Sequence, residues 1–177
     1  MFRIILSTVT TTITIAAIAG AATPVAAQNV PDACMPIVGT FLYLRPRAPD
    51  AIEPQVGRIL LSLTDSGQAM MTDSAQGGVS ERYQPFSEAR GGWTCRVEGG
   101  DLHLDAVLLD FTFPTVEMPV QKLARVDITG VYDRDEATMK GDTLVSFFPL
   151  DADPLNGEAG ENPMRYRFTG FKIVPPH

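Results

Sequence analysis

Histidine, cysteine and tryptophan are scarce in this chain, which has two histidines, two cysteines and one tryptophan among 177 residues. No Cys-x-x-Cys pair is present, which argues against a thioredoxin-type redox site. A zinc site would lack ligands, because only His103 and His177 could join the two thiols. The chain also has no Gly-x-Ser-x-Gly elbow, phosphate-binding loop or dinucleotide-binding glycine pattern. From these absences we expect that the protein binds no metal ion and no organic cofactor.

Positive charge is sparse as well. The sequence has 14 Lys and Arg against 21 Asp and Glu, which gives a formal net charge of −7. A net negative surface repels phosphate backbones, so the composition predicts no nucleic acid partner.

The first 27 residues differ in character from the rest. Met1-Phe2-Arg3 gives a positive start, residues 4–22 carry no charge, and a small-residue segment follows. Val25 and Ala27 stand where a signal peptidase reads its substrate. We therefore predict a cleaved signal peptide over residues 1–27, a mature protein that begins at Gln28, and a periplasmic or secreted location. A cut after Ala22 is the alternative.

A membrane anchor is the competing interpretation of the same segment. Nineteen uncharged residues could nearly span a bilayer, although five threonines dilute the apolar run. Cys34 lacks the apolar residue that a lipobox places three positions earlier. We expect no membrane anchor after signal cleavage.

Cys34 and Cys95 are the two cysteines, and both follow the predicted signal. An oxidising compartment usually joins such a pair. The closed loop would hold about 60 residues, which corresponds to about 4 kcal/mol in the chain-entropy model. We predict a Cys34–Cys95 disulfide.

Fourteen prolines leave little room for long helices, and apolar residues instead recur at every second position between turn signals. A short helical turn could form at residues 87–90. An extra residue at Thr169-Gly170 would explain why the apolar phase slips in the last strand. The eight predicted strands cover residues 39–45, 56–64, 68–72, 92–97, 101–113, 121–132, 139–148 and 164–174. They predict one all-β domain over residues 28–177, an eight-stranded antiparallel up-and-down barrel, with a β-sandwich as the alternative.

Two short motifs carry a resemblance. Gly39-Thr40-Phe41 resembles the Gly-x-Trp start of lipocalin-like (calycin-type) barrels, with Phe41 in place of the tryptophan. Arg165-x-Arg167 lies where such barrels keep a basic residue near that first-strand aromatic. The order of segments from Gly-Gly-Trp-Thr-Cys-Arg to Phe-Thr-Gly also resembles exported bacterial barrel proteins of uncharacterised function. The resemblance implies a barrel with an interior and a mouth, and it names no ligand.

Three groups of residues could carry chemistry. Asp101, His103 and Asp105 share one face of the fifth strand and could form a general base or begin a metal site, but a solvent-facing polar stripe is the favoured interpretation, because no third ligand or nucleophile is recognisable. The acidic loop at residues 151–158 has calcium-like composition but departs from EF-hand spacing. The aromatic side chains that could line a ligand cavity, or simply pack the core, are Phe41, Tyr43, Trp93 and Tyr166.

These features favour a non-enzymatic barrel that binds a small apolar molecule or acts as a structural module, and we assign no catalytic residue. One alternative is a barrel cyclase or isomerase that uses a cavity group such as His103. Another is a protein-binding module, for example a protease inhibitor that presents the loop at residues 73–91.

Overall fold

The computed structural model describes residues 30–45, 57–78 and 83–176. The expected signal peptide lies outside the described residues. Within them, one 3₁₀ helix (Asp32–Ile37) precedes eight strands. The strands are β1 (Gly39–Arg45), β2 (Gly57–Leu63), β3 (Gln68–Asp73), β4 (Ala89–Glu98), β5 (Asp101–Phe111), β6 (Leu123–Asp133), β7 (Thr138–Phe148) and β8 (Glu161–Lys172).

The eight strands form one closed antiparallel barrel, in which each strand pairs with its neighbours in sequence. β8 returns beside β1 and closes the ring through pairs such as Leu42 with Phe171 and Tyr43 with Gly170. Closure pairs both sides of every strand, which removes the exposed edges that an open sheet would have. The predicted up-and-down barrel is confirmed, and the alternative β-sandwich is wrong.

The core of the barrel follows from the alternation of apolar and polar residues, because successive side chains of a strand point to opposite faces. β5 is the clearest case: Leu102, Leu104 and Leu108 are fully buried inside, and the residues between them are only half-buried. Full burial of each such leucine contributes roughly 1.5–3 kcal/mol to the stability of the fold. The core therefore forms a continuous apolar lining around the barrel axis.

One end of the barrel is closed by the 3₁₀ helix. Ile37 and Cys34 of this helix are buried, and Cys34 forms a disulfide with Cys95 of β4 across a Cα–Cα distance of 6.1 Å. Before the helix, the Val30 amide donates to the Asp65 carbonyl at 3.1 Å. The predicted disulfide is confirmed, and it fastens the N-terminal lead-in over this end, which we call the closed end.

The last strand does not contain the predicted bulge at Thr169-Gly170. Its pairing with β1 and β7 is regular there, and Phe171 and Ile173 are about half exposed on the outer face. The inner position between Phe168 and Lys172 is taken by Gly170, because the Tyr43 ring fills the space that a side chain would need. The apolar residues thus move from even to odd positions because Phe171 and Ile173 face outward. The strand itself is regular at this point.

Two further details differ from the sequence prediction. Residues 89–90 belong to β4, so the helical turn expected at 87–90 is wrong. A register shift does occur in β8, but near its start, between the pairs Val145 with Met164 and Phe147 with Glu161. Asn162 has a positive φ of 46° at that point. The one-residue excess in β8 is thus absorbed at the end of the barrel opposite the 3₁₀ helix.

The basic residue beside the first-strand aromatic is Lys172, not Arg165 or Arg167. Lys172 pairs with Phe41 in the β1–β8 register, and its Nζ donates to the Pro36 carbonyl at 2.8 Å. Arg167, in contrast, has a side chain that is 91% exposed. Lys172 therefore links the last strand to the 3₁₀ helix and strengthens the closed end.

Candidate functional site

The opposite end of the barrel opens into a cavity of about 480 Å³. It lies above the stacked rings of Tyr43 and Phe168, whose centroids are 4.3 Å apart. At this level the inner faces of β6 and β7 carry small and medium side chains, including Ala124, Val126 and Val145, which do not fill the barrel. The interior is thus packed at the closed end and hollow at this end, which we call the open end.

The wall of the cavity is mostly apolar and contains a few polar groups. Such a lining, at a volume within the range of roughly 300–1,000 Å³, is typical of small-molecule sites. The apolar lining includes Ile59, Met71, Ala124, Val126, Val145, Phe147, Met164 and Phe168. The polar lining includes Asp73, Gln84, Asp110, Thr112, Lys122, Thr143 and Tyr166.

Asp110 is the most unusual polar group in this wall. It continues the inner face of β5 beyond Leu108 and is only 4% exposed, and its Oδ1 has no hydrogen-bond partner among the described residues. Burial, followed by the negative charge of Asp73, raises the pKa of Asp110 to about 7. An acidic group with a strongly perturbed pKa inside a concave apolar pocket is a candidate functional residue.

Asp73 reaches the same cavity from β3. It is buried, and its Oδ1 accepts a hydrogen bond from the Ala75 amide at 2.8 Å, which shapes the turn after β3. β3 and β5 approach each other across β4, whose Ala89 pairs with Met71 and stands level with Asp110. The small side chain of Ala89 leaves space on the inner face between β3 and β5, and Asp73 is close enough to Asp110 to influence its pKa.

The rim of the cavity is held by contacts between two loops. Gln84 Nε2 donates to the carbonyls of Met118 and Val120 at 2.7 and 2.9 Å. Lys122 Nζ donates to Glu161 Oε2 at 2.7 Å. The described part of the loop at residues 73–91, which we considered as a protease-binding segment, therefore forms part of the cavity wall.

The loops at the open end expose several apolar side chains. Val116 is 95% exposed, and Val120 is 65% exposed; both belong to the loop between β5 and β6. Phe113 in the same loop is about half exposed, as are Leu150 and Leu155 in the loop between β7 and β8. Of these side chains, Val120 also lines the cavity.

The four aromatic residues proposed for a cavity lining occupy different places. Tyr166 lines the cavity. Phe41 and Tyr43 are completely buried in the packed half of the barrel, where Tyr43 stacks beneath Phe168, which does line the cavity. Trp93 lies towards the closed end, and its Nε1 donates to the Thr64 carbonyl at 2.9 Å. The structure therefore assigns three of the four to core packing.

The histidine cluster points away from the cavity. His103 and Asp105 alternate with the buried Leu102 and Leu104, so they lie on the outer face of β5, where Asp105 forms an ion pair with Arg96. In the described ranges, no group of three or more acidic, histidine or cysteine side chains could hold a metal ion. His103 is thus not a cavity group, as the enzyme alternative would require.

The acidic loop at residues 151–158 uses its side chains to form turns. Asp153 Oδ1 accepts a hydrogen bond from the Leu155 amide at 2.9 Å, and Asn156 Oδ1 accepts one from the Glu158 amide at 2.8 Å. Asp153 and Asn156 therefore have a structural role in the turns of this loop.

Sequence reasoning missed Asp110 and Asp73. The signal was present for Asp110, because it falls in the same alternating phase as Leu102, Leu104 and Leu108 and is therefore an acidic residue at an inward position. For Asp73, which follows Met71 by two positions, the same argument applies, although it ends a much shorter strand.

Comparison with known proteins adds no assignment for this site. The chain matches no protein-family model, and no curated protein and no solved structure is detectably similar to it. None of the helices in the described residues is long and apolar enough to cross a membrane. The chemistry of the cavity is therefore the basis for a functional assignment.

Proposed function

We propose that this protein binds a small, predominantly apolar molecule inside the open end of the barrel, as a lipocalin-like carrier in the periplasm or outside the cell. The supporting observation is the change in packing along the barrel axis. At the closed end, Phe41, Tyr43 and Leu61 are completely buried, whereas beyond Phe168 the interior is an apolar cavity of about 480 Å³. An open cavity of this size leaves its apolar wall in contact with water, and a bound apolar molecule would displace that water.

The closed end supports the same proposal. A carrier needs a floor under its ligand, and the disulfide and the Lys172–Pro36 hydrogen bond hold the 3₁₀ helix there. Burial of apolar area then supplies most of the binding free energy, at roughly 25 cal/mol per Å². The Cys34–Cys95 bond also supports an oxidising compartment.

A neutral environment-sensitive dye, N-phenyl-1-naphthylamine, tests the proposal. Its fluorescence should rise when it enters the cavity of the purified protein. The intrinsic fluorescence of Trp93 is a poor reporter, because this tryptophan lies towards the closed end. Val145→Trp, which places a large side chain in the cavity, should weaken dye binding at least about tenfold.

Val131→Trp is the matched control, because Val131 is 39% exposed and alternates on β6 with the buried Gly130 and Tyr132. It should bind the dye as the wild type does. Val145→Phe replaces Val145→Trp if the larger variant does not fold, as judged by circular dichroism. No binding by the wild-type protein, or equal binding by the Val145 and Val131 variants, would contradict the proposal.

A further inference from the structure

Asp110 has a hydrogen-bonding capacity that the fold does not use. Its side chain forms part of the cavity wall, and its buried Oδ1 accepts no hydrogen bond from the part of the chain that the structure describes. An unpaired buried carboxyl oxygen destabilises a folded protein, because the group has lost its water without gaining a replacement. A leucine at this inward position of β5 would continue the core at no such cost.

Three side chains in the cavity wall that carry hydrogen-bond donors already donate to groups other than Asp110. Both hydrogens of the Gln84 amide serve the Met118 and Val120 carbonyls. The Lys122 ammonium donates to Glu161, and the Tyr166 hydroxyl donates to the Met164 sulfur at 3.1 Å. Among the described residues none of these groups donates to Asp110 Oδ1, and a donor group on a ligand in the cavity could do so.

The charge around Asp110 favours a cationic donor. Asp73 lines the same cavity and carries the same charge, so the two groups together disfavour an anion at this depth. An ammonium group would form a charge-assisted hydrogen bond with a carboxylate, and such bonds are shorter and stronger than neutral ones.

We infer, on the basis of the proposed function, that the ligand is an apolar molecule with one protonated amine, and that Asp110 receives this amine. The apolar part would contact the Val126, Val145 and Met164 side chains, while Asp73 adds negative potential from the neighbouring wall. Asp110 thus becomes the residue that decides which apolar molecules are retained.

Competition against N-phenyl-1-naphthylamine tests this inference with three probes that share one alkyl chain: decylamine, decanol and decanoate. At neutral pH and high salt, decylamine should bind the wild-type protein at least about tenfold more tightly than decanol, and decanoate should bind most weakly. In Asp110→Asn, which keeps the shape but removes the charge, the affinity for decylamine should fall about tenfold. The affinity for decanol should stay within about threefold.

Asp142→Asn is the matched control, because it removes one negative charge from a half-exposed outward side chain of β7. It should retain the preference for decylamine, which separates a site effect from general attraction to an acidic protein. Equal affinities of the wild type for decylamine and decanol, or a preference that survives Asp110→Asn, would overturn the inference. If decanol and the dye fail to bind as well, the proposed function itself fails.

Discussion

Asp110 illustrates how one residue can link stability to function. Its ordinary pKa is 3.8, and burial, followed by the charge of Asp73, raises the pKa in the folded protein to about 7. Between these two values the folded state holds a proton that the unfolded state has released, so stability falls as the pH rises through this window and levels off above it. A difference of this size corresponds to at most about 4 kcal/mol.

We expect Asp110→Asn to remove this penalty. The variant should gain free energy of unfolding relative to the wild type, and the gain should be larger at about pH 8 than at about pH 5 by roughly 2 kcal/mol. Urea denaturation at the two pH values measures the difference. Asp142→Asn should show no such dependence, and a gain for Asp110→Asn that is equal at both pH values would contradict the assignment.

At the scale of elements, the closed end depends on one short helix, which lies outside the β-sheet. The 3₁₀ helix has only six residues and contains Pro36, so its position comes from tertiary contacts rather than from helix propensity. The disulfide to β4, the Lys172 hydrogen bond and a hydrogen bond from Arg134 to the Ala33 carbonyl at 3.2 Å supply those contacts. We therefore expect reduction of the Cys34–Cys95 disulfide to weaken the closed end.

Replacement of both cysteines by serine should lower the free energy of unfolding by about 2–4 kcal/mol, because the bond closes a loop with a sequence separation of 61 residues. The far-UV circular dichroism spectrum should keep its β-sheet signature, since the eight strands pair without the bond. Wild-type protein treated with dithiothreitol serves as a control and should lose a similar amount. Equal stability of the oxidised wild type and the double variant would contradict this expectation.

At the scale of the whole molecule, the barrel itself carries no information about the compartment in which the protein is located. A closed barrel with an apolar cavity can bind the same ligand in any compartment, so the location has to be argued from the N-terminal segment and the disulfide. We expect the exported protein to begin at Gln28, because Val25 and Ala27 fit the cleavage pattern. Intact-mass measurement of protein recovered from the periplasm or the medium tests this, and a product that retains Met1 would contradict it.

The sequence by itself determined the fold class and the disulfide. Period-two alternation and turn signals mark all eight strands, because the pleat forces alternate side chains onto opposite faces, and two cysteines leave a single intramolecular pairing. Strand ends were less exact: β4 begins at Ala89, three residues before the predicted start, because its first residues are small or polar and carry no alternation of their own.

Only the tertiary structure decided how the interior is divided. Phe41, Tyr43, Trp93 and Tyr166 are all aromatic residues with an inward phase. Their height along the barrel axis, which depends on the register between strands, separates the core residues from the cavity residue. The same register places Asp73 and Asp110, 37 positions apart in sequence, in one wall. Alternation along a strand determines which face a side chain occupies, whereas the pairing between strands determines its neighbours. The candidate site depends on which side chains are neighbours, so only the tertiary structure could reveal it.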